Sequence, residues 1–407
     1  MSEFSYRLLR RWPDVEAPNL FASDASDRLI LDEAFATLAG VHDGRDVVVI
    51  GDRYGALTLG VSFEHGLSGI RVHQDALSGE LALAANAEEF ELSSCFESRA
   101  LDESLLAGAR VVLLQLPRSL AELDEIADAV ARYAADDVVV FAGGRIKHLS
   151  LAMNDVLGHY FGTLDVSLAR QKSRVLVARG SRRPVDARPY PKLVVNPELG
   201  LTIAAHGGAF SGTTLDIGTR FLLTFFDQID PAARTAIDLG CGTGVLAAVL
   251  ATQRPELSVI ATDQSAAAVE SAAATVLANG LGGRVSVVRD TGLAQQPDDS
   301  ADVIVCNPPF HVGSSVHTGV ALAMLRDTGR VLRGGGQLFT VFNSHLAYQP
   351  ELRRLVGPTK VLGQNTKFTV TVSTKKVLAK GGAPTNTVPA TTTPAMTVPA
   401  TTTPEGT

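Results

Sequence analysis

The sequence is poor in the residues that build disulfide frameworks and metal centres. Its three cysteines, Cys95, Cys241 and Cys306, are an odd number with no CxxC or Cys/His spacing. Neither a disulfide scaffold nor a zinc site is therefore expected, and a reducing compartment fits. The nine histidines form no HxxxH or HExxH pair, so we expect no metal centre.

Long apolar runs are also missing. No stretch approaches the roughly 18 apolar residues that cross a bilayer. The basic N-terminus, MSEFSYRLLRRW, precedes no apolar segment of the secretory kind. We therefore expect a cytoplasmic protein with no membrane partner.

Excess positive charge is the third absence. Lys and Arg number 36 against 43 Asp and Glu, for a formal net charge of −7, which argues against bulk attraction to nucleic acid. One local exception sets eight basic side chains against the single acid Asp186; these are Arg170, Lys172, Arg174, Arg179, Arg182, Arg183, Arg188 and Lys192. The stretch is either a solvated interdomain linker or a patch that contacts phosphates, and the sequence leaves both open.

Size and composition indicate a two-domain globular protein with a tail. Apolar residues make up 45% of the 407 residues, and a chain of this length exceeds one ordinary core. Residues 381–407 are rich in Thr, Pro and Ala and repeat TVPATTTP at 387–394 and 397–404. They lack the large apolar side chains that offset ordering entropy, so we predict a disordered tail.

Residues 198–380 alternate short apolar strands with helices. The predicted strands are TAIDLG, LSVIATD, VSVVRD and ADVIVC, and the helices VLAAVLATQ and QSAAAVESAAATVLANG lie between them. Such alternation predicts a mainly parallel sheet covered on both faces, which is a doubly wound α/β domain.

The first half shows the same alternation of strands and helices; DVVVIGDRYGALTLGV, for example, is predicted to form a strand, a turn and a helix. When Gly51 is aligned with Gly240, Gly55 aligns with Gly244. With a further shift of two residues, Leu116-Pro117 aligns with Asn307-Pro308. We interpret this as a tandem duplication, with chance similarity of two α/β domains as the alternative. The predicted boundaries are 1–182 for the first domain, 183–197 for a proline-rich linker and 198–380 for the second.

The turn DLGCGTG, from Asp238 to Gly244, lies between a predicted strand and helix. Glycines there let the backbone turn sharply and approach a ligand, while helix N–H groups point at it. Asp263 ends the next strand, where a carboxylate can accept both hydroxyls of a ribose. Asp290 ends the third strand, suitably placed to accept from an adenine amino group; each aspartate alone could instead be a cap or a turn residue.

Asn307-Pro308-Pro309-Phe310 directly follows the fourth apolar strand. Two prolines fix the backbone and remove two N–H donors, so acceptors face the pocket. A rigid set of acceptors suits an –NH2 group, and Phe310 offers a flat face for stacking a base. The motif therefore favours methylation of an amine in a planar, conjugated system, although Asn-Pro-Pro also occurs as a mere turn.

Together these motifs resemble the class I methyltransferases with an N-P-P-[FYW] tetrad. Flanking stretches bring the resemblance closer to the ribosomal RNA guanine-N2 methyltransferases; these are FS at 210–211, LDIGTRF at 215–221, NSHL at 343–346 and NTKF at 365–368. Within that family they look more like the large-subunit enzyme. The resemblance implies two tandem Rossmann-like methyltransferase domains, the N-terminal one degenerate and serving RNA binding or support.

The resemblance also implies a site. Residues implied to bind S-adenosylmethionine are Phe210, Asp238, Gly240, Gly242, Gly244, Asp263, Asp290 and Asn307. Those implied in catalysis are Asn307, Pro308 and Phe310, and those implied in substrate binding are Pro309, Phe310, His311 and Lys367. The first half differs at the matching positions. Arg53 and Tyr54 stand where the second half has Gly242 and Thr243, Gln74 stands at the position of Asp263, and Gln115-Leu116-Pro117-Arg118 replaces the tetrad. These differences predict that the first domain has lost catalytic activity.

The implied activity is transfer of a methyl group from S-adenosylmethionine to the N2 amine of a guanine in rRNA, with 23S favoured over 16S. Because a paired base edge is hidden inside a duplex, the expected partner is naked or partly assembled rRNA, and a monomer is favoured. Adenine N6 or a protein glutamine amide are alternative acceptors, since both are planar –NH2 groups. A non-catalytic RNA-binding assembly factor is the alternative of another class.

Overall fold

Each half of the chain builds a seven-stranded sheet, and the two sheets share one strand order. The computed structural model describes residues 5–308, 321–322 and 324–377. The order is β3-β2-β1-β4-β5-β7-β6 in the first half and β12-β11-β10-β13-β14-β16-β15 in the second. The first five strands in each order run parallel to one another. The sixth, β7 or β16, is antiparallel to both of its neighbours. The predicted tandem, doubly wound α/β fold is confirmed, and the predicted tail lies outside the described residues.

The first half contains strands and helices in alternation. Its strands are β1 Val47–Ile50, β2 Ile70–His73, β3 Phe96–Ser98, β4 Val111–Gln115, β5 Val139–Arg145, β6 Phe161–Val166 and β7 Ser173–Ser181. Its helices are α1 Ala25–Leu38, α2 Ala56–His65, α3 Leu77–Glu89, α4 Glu103–Leu106, α5 Leu120–Tyr133 and α6 Leu151–Tyr160. The central strands are buried on both faces, as their continuous apolar runs require.

The second half begins after a short hairpin, β8 Lys192–Asn196 and β9 Leu201–Ala205. Its strands are β10 Thr235–Leu239, β11 Ser258–Asp263, β12 Val285–Arg289, β13 Ala301–Cys306, β14 Leu332–Asn343, β15 Thr359–Gln364 and β16 Phe368–Thr374. Its helices are α7 Ile217–Leu223, α8 Val245–Gln253, α9 Ala266–Ala278, α10 Thr328–Val331 and α11 Gln349–Leu355. Apolar periodicity predicted the strands and helices from β10 to β13 to within two residues.

The basic stretch between residues 170 and 192 is structured rather than a free linker. Much of it is β7, and Arg170, Arg179 and Arg183 pair with Asp32, Asp165 and Asp136 at 2.7, 2.8 and 3.1 Å. The predicted linker ends in β8, which pairs with β9, and β9 in turn donates to side chains of α9. Arg182 and Arg188 donate to backbone carbonyls. Because five of the eight basic side chains therefore already have acceptors, the stretch is a weak candidate for a phosphate patch.

The two halves share their strand order and the backbone geometry of the glycine turn, which supports duplication over chance. Gly51 and Gly240 have φ of 78° and 72°, and Gly55 and Gly244 have φ of 96° and 75°. The sheet register corrects one part of the sequence alignment. Val47 pairs with Val111 and Ala236 pairs with Val303, so Gln115, and not Leu116, lies at the position of Asn307.

The halves meet through the turns that follow β2 and β11. Leu77 N donates to Gln264 O at 2.9 Å, and Ala266 N donates to Asp75 O at 2.8 Å. These two bonds are reciprocal, because the offset that joins Gly51 to Gly240 also joins Leu77 to Ala266 and Asp75 to Gln264. The carboxyl edges of the two sheets therefore touch at this point.

In the part of the chain that the structure describes, no helix has the length and apolar character needed to cross a membrane.

Candidate active site

The glycine turn lies at the carboxyl edge of the second sheet, as the sequence predicts. Gly240 N and Cys241 N both donate to Thr262 O, at 2.8 and 3.0 Å, which fastens the turn to the end of β11. Gly242 has φ of 53°, in the left-handed region where a side chain is strained. A Cβ at Gly242 would meet no heavy atom within 4 Å, so the turn leaves open space on this side.

Asp238 caps the helix behind the turn. Its side chain is fully buried at the end of β10, and its Oδ2 accepts from Ala247 N at 2.9 Å. The second oxygen, Oδ1, has no hydrogen-bond partner among the described residues. Burial raises the pKa of Asp238 to about 7, and a buried, unpartnered acceptor of this kind calls for a donor.

Asp263 and Asp290 lie beside the turn, at the ends of adjacent strands. The Oδ2 of Asp263 accepts from Gly242 N at 3.1 Å, and burial raises the pKa of this carboxyl. Asp290 N donates to Asp263 O at 3.0 Å, and its buried side chain accepts from Gln295 N at 2.9 Å. Two carboxylates therefore line the rim that extends from Gly242 toward β12.

Asn307 follows β13, next to the glycine turn. Leu239 and Cys306 are partners across the sheet, so Gly240 and Asn307 follow neighbouring positions. Asn307 Nδ2 donates to Asp216 Oδ2 at 2.9 Å and to Thr219 Oγ1 at 3.0 Å. A carboxylate only accepts, so the amide nitrogen must face Asp216. The opposite atom, Oδ1, accepts no hydrogen bond within the described residues and remains as an acceptor.

The rest of the tetrad is described only in part. Pro308 is buried directly after Asn307. Pro309, Phe310 and His311 lie outside the described residues, so their predicted contacts with substrate stay predictions.

Phe210 and Lys367 lie on segments that flank the site. Phe210 is 61% exposed, in the turns that precede α7. Lys367 is exposed at the start of β16, and its carbonyl accepts from Ser344 N at 2.8 Å. This bond joins the NSHL and NTKF stretches at the carboxyl end of β14.

The contacts of Asp216 and Thr219 with Asn307 were missed by sequence reasoning. In the sequence, residues 215–221 contributed only to the family resemblance, whereas in the structure Asp216 and Thr219 also orient the Asn307 amide. Asp216 is the N-cap of α7, where its Oδ2 accepts from Thr219 N at 3.0 Å. A Cβ at Gly218 would lie 3.0 Å from that oxygen and 3.4 Å from Asn307 Oδ1. The one signal in the sequence was the Asp-x-x-Thr cap.

The first half keeps the shape of this site and changes its chemistry. Arg53 stands at the position of Gly242 and retains the left-handed turn, with φ of 55°. Asp52 replaces Asp238 as the helix cap, accepting from Leu57 N and Thr58 N at 2.9 and 2.8 Å. Gln115 stands at Asn307 and donates to Asp27, as Asn307 does to Asp216.

The second half fits S-adenosylmethionine and the first does not. In the second half the backbone turn leaves open space at Gly242, and the unpartnered Oδ1 of Asp238 and the carboxylate of Asp263 are acceptors next to that turn. In the first half the Arg53 side chain stands where that open space is needed, and Asp52 has both oxygens occupied. No group of His, Cys, Asp and Glu among the described residues could hold a metal ion.

Comparison with known proteins agrees with this geometry. Residues 200–372 match the family model of the Methyltransferase small domain, and residues 2–182 match that of the RLMG N-terminal domain. Ribosomal RNA large subunit methyltransferase G of Shewanella amazonensis is 32% identical over 373 residues, covering 90% of this chain and 96% of the relative. The protein of that name from Pseudomonas paraeruginosa is 34% identical, covering 89% and 96%.

One solved structure matches the whole two-sheet arrangement. It is a T. thermophilus 16S rRNA N2 methyltransferase in complex with AdoMet and guanosine, with a TM-score of 0.70. The match covers 89% of this chain and 97% of the T. thermophilus chain at 21% identity. At this identity the match supports the fold alone. The two sequence relatives are similar over nearly their whole length, and they establish the family: the chain belongs to the ribosomal RNA large subunit methyltransferase G family.

Proposed function

We propose that this protein transfers a methyl group from S-adenosylmethionine to the N2 amine of a guanine in large-subunit rRNA. The observation that carries the proposal is the orientation of Asn307, whose Nδ2 is held by Asp216 and Thr219 so that Oδ1 is left to accept. That oxygen stands next to the glycine turn, where the donor would bind.

The second half would hold the cofactor through its backbone turn and three carboxylates. Gly240, Gly242 and Gly244 keep the turn in the left-handed region, which lets the backbone of the turn approach a ligand closely. Asp263 would accept from ribose hydroxyls and Asp290 from the adenine amine. Bound there, the cofactor supplies an electrophilic methyl group on a sulfonium.

Asn307 would act on the acceptor amine. The lone pair of a conjugated amine is delocalised and weakly nucleophilic. An oxygen that accepts one of its hydrogens favours a pyramidal nitrogen and stabilises the positive charge that develops during transfer. Because the Asn307 amide is held on one side, it needs little reorganisation when the amine arrives. Pro308, Pro309 and Phe310 would complete the acceptor set and the stacking surface, and His311 and Lys367 would contact the RNA.

Replacing Asn307 with alanine tests the site. We expect Asn307→Ala to lower transfer of labelled methyl to protein-free rRNA by on the order of 10³-fold, the loss typical of a preset donor or acceptor at a developing charge. Binding of S-adenosylmethionine, measured by calorimetry, should persist within about tenfold. Gln115→Ala removes the matching amide of the first half and serves as the control; transfer by folded protein should be unchanged. Equal activity of Asn307→Ala and wild type would contradict the proposal.

The acceptor is tested by analysis of nucleosides from cells with and without the protein. Loss of N2-methylguanosine from large-subunit rRNA supports the proposal. Loss of N6-methyladenosine, or methyl found only on protein glutamine, would assign the tetrad to another planar amine. Failure of the wild type to bind S-adenosylmethionine would favour a non-catalytic assembly factor.

The organisation of the protein follows from the same proposal. Residues 1–182 would form a degenerate domain for RNA binding or support, 183–197 a connection, 198–380 the catalytic domain and 381–407 a tail. The partner would be naked or partly assembled rRNA, since a flipped or unpaired guanine is needed. We propose a cytoplasmic monomer.

A further inference from the structure

The helix that follows Asp263 is held at its start by a side chain of the first half. Asp75 Oδ1 accepts from Ser265 Oγ at 2.8 Å and from Ala267 N at 2.9 Å. Ser265 is itself the N-cap of α9, because its Oγ accepts from Ala268 N at 3.1 Å. Two of the N–H groups that a helix start leaves without an intrahelical partner are therefore satisfied, and one of the two acceptors lies 192 residues earlier in the chain.

Ser265 also contacts the Asp263 carboxylate. Its backbone N–H donates to Asp263 Oδ1 at 3.0 Å, and the other oxygen, Oδ2, accepts from Gly242 N at 3.1 Å. The carboxylate is thereby held at both oxygens, between the glycine turn and the start of α9, and each oxygen can still accept a second hydrogen bond. The series of hydrogen bonds from Asp75 through Ser265 therefore ends on the group that is proposed to accept from the ribose.

Main-chain hydrogen bonds fix the two segments against each other independently of the Asp75 side chain. Ala266 N donates to Asp75 O at 2.8 Å, and Leu77 N donates to Gln264 O at 2.9 Å. Arg289 also donates to Asp75 O, at 2.9 Å. Because a substitution of Asp75 leaves these bonds in place, it changes what the side chain does without separating the two halves.

The matching helix start of the first half lacks the serine cap. The offset of the duplication places Ala76 at the position of Ser265 and Gln264 at the position of Asp75. Ala76 is the N-cap of α3, and its side chain makes no capping hydrogen bond. The helix start beside the proposed cofactor site therefore has two side-chain acceptors, whereas the N-cap residue of α3 provides none.

The Asp75 and Asp263 carboxylates are close enough to interact through charge. Burial is the main cause that raises the pKa of Asp263, hydrogen bonds from Ser265 and Gly242 oppose it, and the charge of Asp75 raises the pKa further. The charge of Asp75 therefore does not help to keep Asp263 ionised. Its contribution lies in the hydrogen bonds, which an uncharged acceptor at this position can also make.

We propose that Asp75 is a positioning residue for the cofactor, which holds Ser265 so that the Asp263 carboxylate is oriented for the ribose of S-adenosylmethionine. The proposal rests on the proposed role of Asp263 in binding that ribose. A carboxylate that is already oriented loses less conformational entropy when the ligand arrives. The half that does not itself fit S-adenosylmethionine thereby contributes to the cofactor affinity of the other half.

Replacing Asp75 with alanine and with asparagine tests the proposal in the full-length protein. Asp75→Ala removes the acceptor of Ser265 Oγ and Ala267 N, whereas Asp75→Asn keeps an acceptor oxygen without the charge. Asp102→Ala is the control, because Asp102 accepts from Ser104 Oγ and Ser104 N at the start of α4, at 2.6 and 2.8 Å. Calorimetry gives the Kd for S-adenosylmethionine, and transfer of labelled methyl to protein-free rRNA gives KM and kcat.

We expect Asp75→Ala to raise the Kd and KM for S-adenosylmethionine by about tenfold, the effect of losing one or two hydrogen bonds. The kcat at saturating cofactor should change by less than about twofold, since Asn307 is oriented by other groups. Asp75→Asn should stay within about threefold of the wild type, and Asp102→Ala within about twofold. A wild-type KM in Asp75→Ala, or an equal rise in Asp102→Ala, would overturn the proposal.

A double-mutant cycle shows whether Asp75 acts through Asp263. Asp263→Ala should itself raise the Kd for S-adenosylmethionine on the order of 100-fold, because bonds to a charged acceptor are lost. Adding Asp75→Ala should then raise the Kd by less than about threefold further, since the carboxylate that Asp75 positions is gone. A full additional loss in the double variant would show that Asp75 supports the fold alone, against the proposal.

The outcomes separate this proposal from the proposed function. If Asp75→Ala weakens cofactor binding and Asp75→Asn restores it, but the wild type transfers no methyl group to rRNA, only the proposed function fails. If the wild type methylates rRNA and Asp75→Ala keeps its affinity for S-adenosylmethionine, only this inference fails. Should Asp75→Ala not fold, Ser265→Ala gives the same comparison, because it removes the hydroxyl that donates to Asp75 and introduces the residue type that the first half has at this position.

Discussion

At the scale of single residues, the site depends on which way one amide points. Asp216 and Thr219 hold Nδ2 of Asn307 at 2.9 and 3.0 Å, and only this contact leaves the oxygen for an incoming amine. The first half repeats the arrangement with Gln115 and Asp27, although the longer Gln115 side chain and the replacement of Pro308 by Leu116 alter what it presents. An amide held by an aspartate is therefore common to both halves, and the proposed function gives it a role in transfer only in the second half.

Asp216→Asn tests whether this contact positions the amide. The new side chain can still cap α7, but it no longer compels the nitrogen of Asn307 to face it, so Asn307 would lose its fixed orientation. We expect kcat to fall by roughly 10- to 100-fold, which is about 1.4–2.7 kcal/mol of transition-state stabilisation, with little change in KM for S-adenosylmethionine. Asp227→Asn, at an exposed position after α7, is the control. A change confined to KM would assign Asp216 to cofactor binding instead.

At the scale of strands and helices, each half closes its first βα turn with a buried carboxylate. Asp238 accepts from Ala247 N and Asp52 accepts from Thr58 N. The duplication makes the two donors equivalent, whereas the two aspartates lie three positions apart, since Asp52 aligns with Cys241. Burial raises the pKa of Asp238 to about 7 and that of Asp52 to about 6. Both halves therefore hold a carboxyl group whose charge is costly, and the second half alone leaves one of its oxygens free.

The raised pKa of Asp238 predicts a pH dependence of stability. Between the unfolded pKa near 4 and the folded value near 7, the folded protein holds a proton that the unfolded chain has lost. The stabilisation is present at low pH and is lost as the pH rises, by up to about 1.4 kcal/mol per unit. Asp238→Asn should match the wild type near pH 4 and exceed its free energy of unfolding by roughly 2–4 kcal/mol at pH 8.

The measurement is denaturant unfolding of the ligand-free protein from pH 4 to 8. Asp27, Asp52 and Glu122 also have pKa values raised by burial, to about 7, 6 and 7, so the difference between the two proteins isolates Asp238. Parallel pH profiles for the wild type and Asp238→Asn would show that this carboxyl is ionised throughout. Asp238→Asn should also weaken S-adenosylmethionine binding.

At the scale of the whole molecule, the two halves are joined by buried polar contacts. Arg289 donates to Gln74 O and Asp75 O, both at 2.9 Å, and pairs with Glu80 at 2.7 Å. Elsewhere Glu125 accepts from Gly207 N at 2.7 Å and contacts His206 at 2.6 Å. These contacts fix the first half next to the cleft of the second.

Arg289→Met tests how much this junction contributes. It removes the hydrogen bonds to the carbonyls of Gln74, Asp75 and Gln264 and the ion pair with Glu80, so we expect the free energy of unfolding to fall by about 2–3 kcal/mol. Arg179→Met, which breaks the exposed pair with Asp165, should cost less than about 1 kcal/mol. Denaturant titrations of both variants give the comparison, and equal losses would mean that the junction depends on packing alone.

The sequence by itself determined the local features of this protein. Continuous apolar runs predicted the buried strands from β10 to β13, the glycines marked the left-handed turn at Gly240–Gly244, and the tetrad with its flanking stretches predicted the family, which the relatives confirm. These succeed because backbone geometry and strand burial are set by residues close together in the chain. The predicted site residues remain predictions that the proposed variants test.

Only the tertiary structure decided the rest. Asp216 and Asn307 are 91 residues apart, and Arg289 and Asp75 are 214 apart. No local pattern marks such contacts, because parallel strands collect their carboxyl ends at one edge irrespective of their order in the chain. For the same reason the sequence left residues 170–192 open as a linker or a phosphate patch, whereas the fold pairs Arg170, Arg179 and Arg183 with aspartates from other segments.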